Sequence, residues 1–119
     1  MSEQDLVNAI IEYIQLIGGV AIRINSGMRI IEDAESGKQR VFRGAPAGTS
    51  DIIACIGGEF HAIECKLQGN KPTEKQRMFL QRVDQAGGRA IVAYKLEDVI
   101  QEIVIADALA NRTHPEADG

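Results

Sequence analysis

Near the middle of the chain, the apolar run 52–56 and a second run, 59–67, in which apolar and charged residues mix, are separated only by Gly57 and Gly58. A glycine pair between two such runs is typical of the tight turn of a β-hairpin. A loop rich in turn-forming residues, 44–50, precedes the first run. The pattern therefore predicts that a β-hairpin lies at the centre of the fold.

Three segments with helical spacing of apolar residues flank this hairpin. The first begins at a capping box of Ser2 and Asp5, the second begins at a capping box of Thr73 and Gln76, and a glycine pair ends each of them. The third is predicted to span residues 96–110. Further strands are predicted for residues 20–24 and 89–94, and residues 28–32 and 39–43 are predicted to pair as a second hairpin around residues 35–38. The resulting order, αβββββαβα, indicates a single α/β domain.

The length and the cysteine content set the class of protein. A chain of 119 residues can bury about two thirds of its unfolded surface and fold without disulfides. No apolar run approaches the roughly 20 residues that a membrane span needs, so no membrane partner is expected. The N-terminus lacks the pattern of a secretory signal, and Cys55 and Cys65 form no metal-binding spacing. We therefore expect a cytoplasmic protein.

The net charge of -4 is distributed unevenly. Residues 96–119 contain six acidic residues and one basic residue, which leaves eleven acidic and twelve basic residues in residues 1–95. Phosphate binding draws on Lys and Arg, so a nearly neutral body with basic stretches is compatible with DNA binding but does not require it.

Three charged residues, Asp51, Glu64 and Lys66, fall within the predicted hairpin. Glu64 and Lys66 are two residues apart on one strand and therefore point to the same face, where Asp51 can reach them from the neighbouring strand. Burying such charges costs several kcal/mol unless they are paired or bind a metal. The alternative is a solvated ion pair on an edge strand, with Asp51 only capping a turn.

Phosphodiester hydrolysis would explain these residue types. Carboxylates bind Mg²⁺ at about 2.0–2.1 Å, and a nearby lysine can orient the attacking water and stabilise developing charge. Asp51, Glu64 and the backbone carbonyl of Cys65 are the predicted metal ligands. Lys66 is the predicted catalytic cation, and the Cys65 thiol has no predicted part.

Four segments together resemble a known family: RGAPAGTSDII (residues 43–53), HAIECK (61–66), TEKQRMFL (73–80) and GGRA (87–90). They are similar to the VRR-NUC family, the virus-type replication-repair nucleases of the PD-(D/E)xK superfamily, and the similarity runs from about Glu3 to Val99. It implies a restriction-endonuclease-like mixed β-sheet flanked by helices in residues 1–110. The terminal position of residues 111–119 separately predicts a frayed tail. The resemblance also implies Mg²⁺ or Mn²⁺ dependence, structured DNA substrates and a phage or bacterial setting. Ser50 stands where the family usually has proline before the aspartate.

Two further residues gain a role through this resemblance. Glu3 lies on the inward stripe of the first helix and corresponds to an accessory metal-binding carboxylate of the family; the alternative is a favourable charge at a helix N-terminus. Gln76 corresponds to a residue that helps to order the catalytic site. The alternative for Gln76 is its capping box with Thr73, and both roles can hold together.

The predicted partner is branched DNA bound by a homodimer. One triad per chain can cut one strand, whereas symmetric incision of a four-way (Holliday) junction needs two sites related by a two-fold axis. A flap-directed or restriction-like endonuclease, a catalytically silent DNA-binding module and an RNA substrate remain as alternatives. The aromatic content of 4% argues against single-strand binding by base stacking. The candidates for DNA contact, any of which could instead be a solvated surface charge, are Arg23, Arg29, Arg40, Arg43, Lys71 and Lys75.

Overall fold

The computed structural model of the chain describes residues 1–25 and 28–113. Its elements have the predicted order αβββββαβα. Helix α1 spans Glu3–Leu16, α2 spans Glu74–Gln85 and α3 spans Leu96–Thr113. The strands are β1 (Val20–Arg23), β2 (Met28–Glu32), β3 (Gln39–Arg43), β4 (Ile52–Ile56), β5 (Glu59–Cys65) and β6 (Arg89–Ala93).

Four strands form one mixed sheet in the order β1-β4-β5-β6. The β1–β4 and β4–β5 pairs are antiparallel, whereas β5 and β6 are parallel. Gly57 and Gly58 both have positive φ, 60° and 80°, which is the backbone that a two-residue hairpin turn needs. The predicted hairpin is thus β4–β5, and it occupies the centre of the sheet. The mixed sheet with flanking helices is the α/β architecture that the sequence predicts.

The main core lies between one face of this sheet and helices α1 and α3. Alternate residues of β4 and β5 enter it, among them Ile52, Ile63 and Cys65. Because side chains alternate across a strand, Glu64 must point to the opposite face. Helix α2 packs on that face against β5 and β6, and its Leu80 is buried outside the main core cluster.

Both predicted capping boxes are present. The Asp5 backbone N–H donates to Ser2 Oγ and the Ser2 backbone N–H donates to the Asp5 carboxylate, each at 3.0 Å. The box at the start of α2 is formed in the same way by Thr73 and Gln76. These bonds satisfy backbone donors that the first helical turn leaves unpaired, so both helices begin where the sequence predicts.

Helix α3 continues to Thr113, three residues beyond its predicted end. The remainder of the predicted frayed tail, residues 114–119, lies outside the described residues. No helix in the described part of the chain is both long and apolar enough to cross a membrane.

Strands β2 and β3 pair antiparallel as a separate hairpin, as predicted. Within residues 1–25 and 28–113, this hairpin packs against no other helix or strand. It leads through residues 44–50 directly into Asp51 and β4.

Candidate active site

The β4–β5 hairpin brings Asp51 beside residues 64–66. Asp51 immediately precedes β4, and the register pairs Ile52 with Ile63 on the facing strand. The Asp51 carboxylate accepts a hydrogen bond of 2.8 Å from the Cys65 backbone N–H. This bond ties the start of β4 to the end of β5, so the acidic residue meets the neighbouring strand as the two-residue alternation predicts.

Strand β5 ends at Cys65, two residues earlier than predicted. The Lys66 backbone N–H nevertheless donates to the Ala93 carbonyl at 3.0 Å, which keeps Lys66 attached to β6. Its ammonium Nζ lies 3.9 Å from Glu64 Oε1, and its side chain is only 13% exposed. The two charges therefore lie together on the α2 side of the sheet.

Glu64 is almost completely buried, with 1% of its surface exposed. Its Oε2 atom is buried and has no hydrogen-bond partner among the described residues. An unsatisfied buried acceptor typically costs about 1–3 kcal/mol, and more when it is charged. This position excludes the solvated edge-strand pair, because β5 is a central strand and Glu64 is hidden from water.

The electrostatic environment of Glu64 disfavours its charged form. Burial raises its pKa to about 8, and the negative charge of Asp51 acts in the same direction. Lys66 opposes the rise, while Glu3 adds to it. A cation between these carboxylates would stabilise the ionised forms, because a bound metal reverses the local balance of charge.

The Cys65 thiol has no apparent chemical part in the site. Burial, followed by the charges of Asp51 and Glu64, raises the pKa of this thiol to about 12, so it stays neutral near pH 7. Its side chain belongs to the core between the sheet and α1. Only its backbone remains as the predicted contributor to metal binding.

The oxygen groups at this site suit a hard cation that takes only a few of its ligands from the protein. In the described ranges, no three side chains of His, Cys, Asp or Glu converge closely enough to form a metal site alone. Mg²⁺ is commonly held by one or two carboxylates and keeps several waters or phosphate oxygens. Asp51 and Glu64, with the Cys65 carbonyl, match that pattern.

Glu3 and Gln76 lie in less direct positions. Glu3 is half-buried at the start of α1 and adds negative charge at Glu64 and Cys65, without completing a three-carboxylate cluster within the described residues. The Gln76 side-chain carbonyl accepts from the Thr73 backbone N–H at 2.8 Å. Its predicted alternative, the capping box, is therefore confirmed. The metal-binding role of Glu3 and the ordering role of Gln76 stay predictions.

The candidates for DNA contact divide into three groups. Arg23 is half-buried, and its guanidinium donates to Asn8 Oδ1 at 2.5 Å. Arg40, Lys71 and Lys75 have exposed side chains. Arg29 and Arg43 lie in β2 and β3, but their side chains are outside the described part of the structure.

Ser50 has a structural role that the sequence analysis missed. It is fully buried, and its hydroxyl donates to the Ile52 carbonyl at 3.0 Å. This local bond shapes the chain on both sides of Asp51, where the related family usually has proline. A serine next to a turn aspartate is the available signal, since such hydroxyls commonly bond to nearby backbone groups.

Comparisons with known proteins identify the fold. No family model matches the chain. No curated protein matches it either. Among solved structures, a VRR_NUC domain is similar with a TM-score of 0.57 and 16% sequence identity, over 87% of this chain and 96% of that one. The chain therefore has the fold of a VRR_NUC domain, as the resemblance in its sequence predicts.

Proposed function

We propose that the protein is a metal-dependent nuclease that hydrolyses DNA phosphodiester bonds. The observation that carries the proposal is Glu64, a buried carboxylate beside Asp51 and Lys66 with one oxygen that has no partner among the described residues. A binding module has no need for a carboxylate at this depth beside a second acid and a lysine, because burying charge is costly. Cation-assisted phosphoryl chemistry uses all three residues.

Each residue has a distinct task in this proposal. Asp51, Glu64 and the Cys65 carbonyl would hold Mg²⁺, for which Mn²⁺ would substitute. The bound ion would supply Lewis-acid activation of the phosphate and of a water molecule. Lys66 would orient that water and stabilise the negative charge that develops on the phosphate. Asp51 is already held in position by its bond to the Cys65 N–H.

We further propose that a homodimer acts on branched DNA, with a four-way junction as the main substrate. Each chain has one such triad, and symmetric cleavage of two strands needs two sites related by a two-fold axis. Light scattering should therefore show twice the 12.9 kDa mass of one chain at micromolar concentration. A monomer under these conditions would contradict junction resolution but not nuclease activity.

The test compares the wild type with Lys66→Ala on a four-way junction, a flap and a linear duplex, in Mg²⁺ and in Mn²⁺. Removal of one preorganised stabiliser should lower the cleavage rate by roughly two to three orders of magnitude. Lys95→Ala, which changes an exposed lysine beyond β6, is the matched control and should cut normally.

Each result of this test has a clear meaning. Paired symmetric nicks in the junction support the resolvase function, whereas preferential cutting of flaps or linear duplex supports another endonuclease. Equal activity of the wild type and Lys66→Ala would overturn the mechanism. Metal-independent DNA binding without cutting would favour a silent binding module.

A further inference from the structure

A groove with a volume of about 1160 Å³ lies between α2 and the loop that leads to Asp51. Ala45, Pro46 and Ala47 form one wall, and Phe79 and Val83 of α2 contribute to the other. The volume is somewhat above the roughly 300–1,000 Å³ of ordinary small-ligand sites. The groove is therefore large enough for a nucleotide-sized group.

Two close backbone approaches define the shape of the groove. A Cβ atom on Gly48 would lie 2.7 Å from the Lys75 carbonyl oxygen, so the loop packs directly on α2. A Cβ atom on Gly88 would lie 2.9 Å from Val83 Cγ1 and 3.2 Å from Phe60 Cδ1. At both positions the neighbouring segments pack so closely that a side chain would collide with its surroundings.

Aromatic residues are concentrated in this groove. Phe60 and Phe79, two of the five aromatic residues in the chain, line it together with Met78. Phe60 is 45% exposed and Met78 is 56% exposed. Low aromatic content over the whole chain argues against base stacking, but the local arrangement supplies apolar surfaces on which one or two bases can stack.

The charged residues of the groove are both cations. Lys75 and Arg82 line it, no acidic residue of the described part of the chain does, and both side chains are exposed. Neither forms a salt bridge with any residue in the described ranges. An apolar floor with two exposed cations complements a nucleotide, which combines a flat base with an anionic phosphate, better than it complements an apolar peptide.

The groove is connected to the catalytic triad by β5. Phe60 and Glu64 lie on the same face of this strand because they are four residues apart. At about 3.3 Å per residue, their backbones are separated by roughly 13 Å. That is a distance of a few nucleotides, so one DNA strand could occupy both places.

We infer that this groove binds an unpaired nucleotide of the DNA substrate near the cleaved phosphate. The base packs against Phe60, Met78 and Phe79, and the phosphate contacts Lys75 and Arg82. This inference rests on the proposed nuclease function and adds to it a preference for DNA whose branch point contains unstacked bases.

The test measures binding without divalent metal, so that the DNA stays intact. The probes are a fully paired four-way junction and the same junction with two unpaired nucleotides at its centre, one of them fluorescent 2-aminopurine. The wild type should bind the second probe about tenfold more tightly and change its fluorescence, since stacking makes a substantial contribution per base. Phe60→Ala should remove this preference, whereas Ile22→Ala, an exposed apolar change outside the groove, should retain it.

The cationic side is tested separately, with a substitution that leaves the apolar packing in place. Arg82→Gln should weaken binding of both probes and reduce the slope of log affinity against log salt by about one. Arg77→Gln is the matched control, because Arg77 is exposed on the same helix but does not line the groove.

The outcomes separate this inference from the nuclease proposal. One outcome would overturn the groove assignment alone: metal-dependent cutting with no preference for unpaired nucleotides, together with unchanged affinity in Phe60→Ala and Arg82→Gln. It would indicate another occupant, such as a peptide. Groove-dependent binding without any cutting would support the assignment and overturn the nuclease. The Phe60→Ala variant must show the native circular dichroism spectrum. If that spectrum is altered, Met78→Ala is tested in its place.

Discussion

The two faces of the four-stranded sheet bury different chemistry. The face that packs on α1 and α3 is closed by aliphatic residues such as Ile52, Ile63 and Val99, each fully buried. The opposite face carries Glu64 and Lys66 and is covered by α2 over β5 and β6. On its β1 side, Val20 and Ile22 remain 66% and 55% exposed. One face is thus closed by aliphatic packing, while the other keeps charged groups and exposed apolar side chains.

The largest difference between the faces should appear in the free energy of unfolding when an isoleucine on each face is replaced by alanine. Ile63→Ala removes a fully buried side chain and should lower the free energy of unfolding by about 2–5 kcal/mol. Ile22→Ala changes a side chain that is already 55% exposed and should cost less than about 1 kcal/mol. Urea denaturation measures both. Equal losses would show that the exposed face is covered in solution, for instance by a second copy of the chain.

A smaller effect should follow from the buried carboxylate. The pKa of Glu64 is raised from 4.5 to about 8. At a pH between these two values and without metal, the folded state therefore holds a proton that the unfolded state has lost. This proton difference does not destabilise the protein below about pH 4.5. The free energy of unfolding should then fall by an amount on the order of a few kcal/mol as the pH rises to about 8.

Glu64→Gln keeps the shape and removes the ionisation. It should be more stable than the wild type at pH 8 without metal, by about 1–3 kcal/mol, and the difference should shrink toward pH 5. Thermal unfolding across this pH range measures it. A wild type that is already the more stable protein at pH 8 without metal would show that Lys66 fully compensates the buried charge.

The smallest expected effect concerns the loop beside Asp51. Ser50→Ala removes the hydroxyl that donates to the Ile52 carbonyl and should cost about 0.5–1.5 kcal/mol. Because this bond shapes the turn next to Asp51, cleavage should slow more than the loss of stability alone explains. Asp98→Ala, which removes the acceptor of the Tyr94 and Lys95 backbone N–H groups at the start of α3, is a control of similar stability cost to which no catalytic role is assigned. Equal cleavage rates in the two variants would assign Ser50 to stability only.

The local elements were predictable because their signals lie within a few residues. The capping boxes at Ser2 and Thr73 and the turn at Gly57 and Gly58 depend on short-range hydrogen bonds and backbone angles. Ends of elements were less accurate, since β5 ends two residues early and α3 ends three residues late. Element ends depend on neighbouring packing as much as on the residues themselves.

The meeting of Asp51 with Glu64 and Lys66 was predictable for the same reason. All three belong to one hairpin, and the alternation of side chains along a strand determines which of them share a face. The depth of Glu64 was not predictable in this way. It depends on the packing of β5 against distant parts of the chain, among them α1, α2 and β6.

The element order, the central hairpin and the proximity of the three charged residues were predictable from the sequence, because each depends on spacing within a short segment. Three other features come from the packing of the folded chain: the Glu64 oxygen that has no partner among the described residues, the exposed β1 side of the sheet and the groove between α2 and residues 45–49. These features arise where segments distant in sequence pack together. Periodicity records which face of an element is apolar, but it does not record which element will cover that face.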